Sequence, residues 1–445
     1  MIQSIMNGTG VERINGKKLG LLGFALLWLI IDQNWISWLF SYTVYASIPI
    51  IYFSFLLVFI LFVATFLKQS KVVTPVVLIW LPFVFFSLFG YLAGVQFQRM
   101  IYWFAYFTLL LVSAKSGIWS EKAVFKLIFY GGIFALIGVY VQFFFNSFYT
   151  AYIKNLFTYE GINEFMDITD AFGMNGFTYQ QGTTSMLILS ALFILLYFKD
   201  SSIVTKFFSR KLPRMILIAL MVIGIFLTGK RTMSVIAVIV PVIVYYFSRG
   251  TGNRRFFFLV FASVAFLLVY NYILPLLLKS EDIFFLKRIS NTIDDVKIGA
   301  TDDWTSGRQY LWNIAMNAWR EHPILGIGVG NFPTYSKMGT DVHNTYLQVL
   351  CEQGIIAFVF YVFGIVYCLV RTMHSYGKKH IESLKPYLNF SLAVQLYYIV
   401  NAITGNANVG GEILLYFIAI AFLNRIDIVR NREAKKTRYY ITVNA

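Results

Sequence analysis

HNTYLQVLCEQGIIAFVFYVFGIVYCLV, residues 343–370, sets the class of this protein. Apart from His343 at its start, Glu352 is the single acidic or basic side chain in it, and from Ile355 onward there is none. About 20 apolar residues in a helix cross the ~30 Å hydrocarbon core of a bilayer, so this run reads as a membrane span. Runs of the same kind recur along the chain, at 19–40, 43–67, 72–92, 97–114, 122–145, 176–198, 213–228, 232–247, 254–277, 384–403 and 411–426. The expected fold is an all-α polytopic integral membrane protein with about 12 transmembrane helices.

Composition excludes the alternatives. Of 445 residues, 58% are hydrophobic, 19% aromatic and only 13% charged. A soluble domain holds about 25% charged residues, too many for this chain, and the aromatic load excludes a disordered one. The formal net charge of +16 lies in short tufts between apolar runs and not on one soluble face, so nucleic acid is not the expected partner. Cys351 and Cys368 form no CxxC pattern, and His322, His343, His374 and His380 lack zinc-ligand spacing, so neither a metal nor another cofactor is expected. No small-residue cleavage site follows the run from Leu19, which reads as an uncleaved first helix.

Basic residues orient the ladder, because Lys and Arg accumulate in cytoplasmic loops. With the N-terminus inside, 26 of the 37 basic residues fall on the cytoplasmic side, giving that face about +20 and the outer face about −4. The expected plan is a cytoplasmic tail over 1–18 and nine spans over 19–277. A large extracytoplasmic loop with short helices follows over 278–342, then three spans over 343–426 and a basic cytoplasmic tail over 427–445. The outer segment 146–175, with Glu160, Glu164, Asp167 and Asp170, is also too long for a mere turn.

The basic residues left outside are the chemical signal. Lys230 and Arg231 occupy a hairpin of almost no length, Thr228-Gly229-Lys230-Arg231, at the membrane interface, where an ionisable group is costly. Residues 305–322 read as a helix with Leu311, Ala315, Ala318 and Trp319 on one face, capped by Ser306 and Gln309 and ended by Pro323. Arg308 falls in its first turn, where free N–H groups and a guanidinium fork suit a phosphate. The glycine run Gly326-Ile327-Gly328-Val329-Gly330 follows a helix and not a strand, so it predicts tight turns with positive φ and not a dinucleotide site. His343 stands before the long helix, with Asp341 or Asn344 as cap, and a neutral imidazole there suits a general base. Glu352, nine residues into the same helix, is expected to face protein or a cavity.

Taken in order, the hairpin at 228–231, the segment 305–332 and the His343-Asn344-Thr345-Tyr346-Leu347 helix start with Gly354 beyond it resemble the O-antigen ligase/polymerase superfamily. These membrane glycosyltransferases include O-antigen ligases and Wzy-type polysaccharide polymerases. The resemblance covers about 176–370 at motif level, and it departs at Lys230, where the family often has Ser. It implies inverting, metal-independent glycosyl transfer on the outer face of the bacterial cytoplasmic membrane, from a saccharide on undecaprenyl pyrophosphate. Arg231 and Arg308 would hold the pyrophosphate and His343 would take the acceptor proton. Lys230 and Asn344 would be further substrate contacts, with Arg288 and Arg320 as additional phosphate contacts. A lipid-linked acceptor, a flippase and a chain-length regulator are the implied partners. A repeat-unit polymerase is favoured by the Phe-, Tyr-, Ile- and Lys-rich composition with weakly patterned outer spans. A ligase that transfers to lipid A-core is the alternative, and a transporter lacks support because paired halves are not visible.

Overall fold

The structure is a computed structural model, and it describes residues 74–89, 107, 110, 121–154, 173–178, 180–199, 203–248, 308–376, 384–407 and 411–423. The expected spans 19–40, 43–67 and 254–277, nearly all of 97–114, and the outer acidic residues Glu160 to Asp170 lie outside the described residues. So do Arg288 and the Ser306 cap.

Among the described residues the fold is helical throughout. Helices α1 (Pro75–Phe89), α2 (Glu121–Phe144), α3 (Gln181–Tyr197), α4 (Lys211–Leu227) and α5 (Arg231–Ser248) follow the apolar runs to within a few residues. Next come α6 (Arg308–Glu321) and a single turn, α7 (Phe332–Tyr335). The bundle ends with α8 (Thr345–Ser375), α9 (Lys385–Thr404) and α10 (Gly411–Leu423). Three stretches, Val124–Phe144, Arg231–Ser248 and Thr345–Ser375, are long and apolar enough to cross a membrane.

Two rows of packing set the frame. One runs from α2 to α3 to α4, the other from α1 to α8 to α9 to α5. Trp80 of α1 lies edge-on to Tyr361 of α8 and Tyr416 of α10, with ring centroids 6.0 and 5.8 Å away. Tyr361 and Tyr398 share a hydrogen bond of 2.7 Å across α8 and α9, so each hydroxyl is satisfied without water. Outward, Ile355, Val359, Phe363, Val366 and Val370 of α8 form an exposed apolar stripe, as do Leu212, Met215, Ile216, Leu220 and Ile223 of α4. Contiguous stripes of that length are unfavourable in water and suited to hydrocarbon.

The long helix differs from its expected form in one respect. It is broken at Gly354, where φ is 75° and ψ 178°. In an unbroken helix the Cys351 carbonyl would accept from Ile355, one turn on. Instead Ile355 N–H donates to Pro323 O at 2.9 Å, while the Cys351 and Glu352 carbonyls accept from Ile327 N–H (2.9 Å) and Gly328 N–H (2.8 Å). The backbone of the loop after α6 thus replaces one turn of helix bonding. Such contact demands glycine on both sides. A Cβ on Gly326 would collide with the Glu352 carbonyl and lie 2.5 Å from Gln353 N, and one on Gly354 would collide with the Ile324 carbonyl.

Candidate functional site

Five helix ends meet at one end of the bundle: the C-termini of α4 and α9 and the N-termini of α5, α6 and α8. At the first, α4 closes on Thr228, whose Oγ donates to Ile225 O at 2.7 Å, and Gly229 turns with φ 70°. The Lys230 carbonyl then accepts from Ser234 N–H at 3.1 Å and starts α5, so Arg231 is the first residue of that helix. The expected hairpin is therefore a three-residue turn, and Lys230 and Arg231 are partly buried in it.

Arg308 opens α6, as the reading of 305–322 requires, with Leu311, Ala315 and Ala318 buried on one face. Its guanidinium Nη1 donates to Thr404 O at 2.8 Å, a bond to the last carbonyl of α9. That carbonyl lacks an intrahelical donor, and a cation at a helix C-terminus is favoured by the dipole. Thr404 also bonds through its Oγ to Thr232 at 3.1 Å, which draws the start of α5 to the same point. Burial, and after it the positive charge of Arg231, lower the proton affinity of Arg308. Two cations close enough to disfavour each other define a place where an anion is stabilised.

His343 precedes α8 with φ 56°, a left-handed conformation uncommon outside glycine. The strain, about 1–3 kcal/mol by type, is held by neighbours. His343 N–H donates to Asn406 Oδ1 at 2.8 Å, and the ring nitrogens lie 3.3 Å from Thr340 Oγ and 3.4 Å from Asn406 Nδ2. Its pKa is pushed down to about 4, by burial first and then by Arg308, with Asp341 opposing and Lys230 adding. The neutral imidazole expected from the helix dipole is present for a different leading reason, desolvation.

Asn344 caps α8 as expected, its Oδ1 accepting from Leu347 N–H at 3.1 Å. Asp341 is not the cap; its Oδ1 accepts from Gln348 Nε2 at 3.0 Å. Glu352 is buried against protein, where it accepts from Phe332 N–H at 3.2 Å. All three glycines of the run 326–330 have positive φ, at 71°, 97° and 82°. Arg320 is not brought to the cluster. It is exposed near the far end of α6, bonded to Asn317 Oδ1 at 3.2 Å, and twelve residues of helix set its backbone about 18 Å from that of Arg308.

The residues missed at the sequence level are Thr404 and Asn406. Together with Gly405 and Ala407, whose carbonyl and N–H both bond to Thr345 Oγ (2.9 and 2.8 Å), they tie the whole site together. The available signal was the polar, small-residue stretch Thr404-Gly405-Asn406-Ala407-Asn408 between the last two spans, on the same side of the ladder as His343.

Half-buried cations flank a neutral imidazole, and among the described residues no group of His, Cys, Asp and Glu is arranged to hold a metal ion. Such a site can bind an anion of two or more charges and accept a proton beside it. No curated protein matches the chain. Residues 216–362, about a third of it, match the family model described as O-antigen ligase, and that segment contains the hairpin, α6 with its glycine loop and the start of α8. The match and the order of these elements place the segment in the O-antigen ligase/polymerase superfamily.

Proposed function

We propose that this protein is a membrane glycosyltransferase that polymerises undecaprenyl-pyrophosphate-linked oligosaccharide repeat units on the outer face of the bacterial cytoplasmic membrane. The twelve-span ladder expected from the sequence, with both termini cytoplasmic, supports that face for the cluster. In the reaction, the acceptor sugar hydroxyl oxygen attacks the anomeric carbon of the donor from the side opposite the pyrophosphate. The bond from that carbon to the pyrophosphate oxygen breaks, its electron pair leaves with the lipid pyrophosphate, and the configuration inverts. His343 takes the hydroxyl proton, which its neutral state permits. Arg231 and Arg308 bear the charge that grows on the departing pyrophosphate, with Lys230 beside them. The carrying observation is that Arg308, the Lys230-Arg231 turn and His343, drawn from three separate stretches of chain, converge on the end of α9: Arg308 bonds Thr404 O, Thr232 beside Arg231 bonds Thr404 Oγ, and His343 bonds Asn406.

A second reading, transfer of the lipid-linked polysaccharide to lipid A-core, is favoured by the description of the matching family. Purified protein supplied with its lipid-linked repeat unit separates the two. A ladder of longer chains is expected of the polymerase; single-unit material alone, with transfer once a core acceptor is added, would overturn that choice for the ligase. A flippase and a chain-length regulator are the partners this role calls for.

A further inference from the structure

Outside the cationic cluster, a second polar system fastens the segment 323–343 to the first turns of α8. Two of its members are the backbone bonds that Ile327 and Gly328 make at the helix break. The others are side chains. Glu352, 2% exposed, accepts from Phe332 N–H at 3.2 Å and from Gln348 Nε2 at 3.4 Å. The same Gln348 nitrogen donates to Asp341 Oδ1 at 3.0 Å. Gln348 and Glu352 are four residues apart and share a face of the helix. Asp341 stands two residues before His343, so the chain of bonds runs from the buried carboxylate to the imidazole's own loop. A buried carboxylate is costly, and one that reaches the loop beside a reactive group, directly at Phe332 N–H and through Gln348 at Asp341, has a positioning use for that cost.

We infer that Glu352 and Gln348 are positioning residues, which hold the 332–343 loop in register on α8 and keep the Asp341 carboxylate turned toward Gln348, so that His343 faces Arg308 at a fixed distance. The inference rests on the proposed role of His343 as proton acceptor. The charged groups facing His343 are Arg308 from α6, Lys230 from the turn between α4 and α5, and Asp341 from its own loop. Freed from Gln348, Asp341 moves toward those cations and the imidazole. There it competes with the anionic substrate and increases the proton affinity of His343.

The test uses the full chain in membranes or detergent, with the lipid-linked repeat unit as substrate. Gln348→Leu and Glu352→Ala are expected to lower kcat by about 10- to 100-fold, the range that follows a displacement of about 1 Å. In Gln348→Leu the acid limb of the pH profile moves to higher pH. Glu352→Gln keeps an acceptor for Phe332 N–H and restores kcat to within about threefold of wild type, since the bond's geometry survives. Asp341→Asn, a loop change that leaves the helix core intact, keeps the acceptor for Gln348, removes the charge and moves the acid limb to lower pH. Wild-type kcat in Glu352→Ala, or an acid limb unmoved in both Gln348→Leu and Asp341→Asn, overturns the inference if His343→Ala is inactive. An active His343→Ala overturns the proton-acceptor reading itself.

Discussion

Replacing Gly354 with alanine probes the helix break on which the site is built. Its φ of 75° and ψ of 178° belong to a region essentially closed to other residues, and occupying it costs about 1–3 kcal/mol. The added Cβ would also collide with the Ile324 carbonyl and sit 2.6 Å from Leu325 N. Both are backbone atoms, so no rotamer change relieves the contact. If the helix straightens instead, Ile355 N–H returns to the Cys351 carbonyl, and the Ile327 and Gly328 N–H groups lose their acceptors. Each orphaned donor costs about 1–3 kcal/mol. The two orphaned donors put the penalty of straightening at about 2–6 kcal/mol, concentrated where the 323–343 segment docks. Gly339 supplies the control: its φ of 63° is also positive, but nothing lies within 4 Å of a Cβ there, so Gly339→Ala carries only the left-handed penalty of about 1–2 kcal/mol. The assay compares the two variants in detergent for thermal unfolding midpoint and rate of lipid-linked substrate consumption. Gly354→Ala is expected to fall about 100-fold or more in rate, as misplacement of the site implies, with Gly339→Ala close to wild type. Equal behaviour of the two in both measurements would refute the docking argument.

His343→Ala and Arg231→Ala should each abolish product while the protein accumulates normally, and near wild-type turnover in either removes that residue from the mechanism. Arg308→Lys keeps the charge but loses the planar fork, and an about 10- to 100-fold loss in kcat/KM is expected, whereas Arg320→Ala should stay within about threefold because it is distant and exposed; the reverse order would contradict the placement of these side chains. With the His343 pKa pushed down to about 4, the acid limb of kcat/KM should lie near pH 4 and not near the usual 6.5. The sign for stability follows. Between those values the unfolded chain binds more protons than the folded one, so the histidine's contribution rises with pH through that window and is constant above it; a limb near 6.5 would deny that His343 is the titrating base. Asn406→Ala leaves the His343 N–H without its acceptor and should destabilise by about 1–3 kcal/mol, read as a lower unfolding midpoint together with lost turnover.

Much of the site was legible locally. Lys230 and Arg231 stood out because charge at a membrane interface is costly, and Arg308 because a Leu311, Ala315, Ala318 face placed it in a first turn. Asn344 was legible as a cap because its spacing to Leu347 N–H is a property of four successive residues. The 326–330 glycines were readable as turns but not as a docking surface, because positive φ is a local property and the partner carbonyls at 351 and 352 are not. Arg320 read as an additional phosphate contact beside Arg308, and only the length of helix between them takes it away from the cluster.

By itself, the sequence determined the helices and the chemistry carried on their ends. Apolar length and capping are sums over neighbours, and hydrocarbon leaves a backbone few alternatives to helix. Only the tertiary structure decided which ends meet. Thr404 O looks like any terminal helix carbonyl until Arg308, 96 residues earlier, fills it, and Asn406 looks like any turn residue until it holds His343. Every helix exposes unsatisfied groups at its ends, and which long-range partner satisfies them is settled by packing, not by the residues nearby.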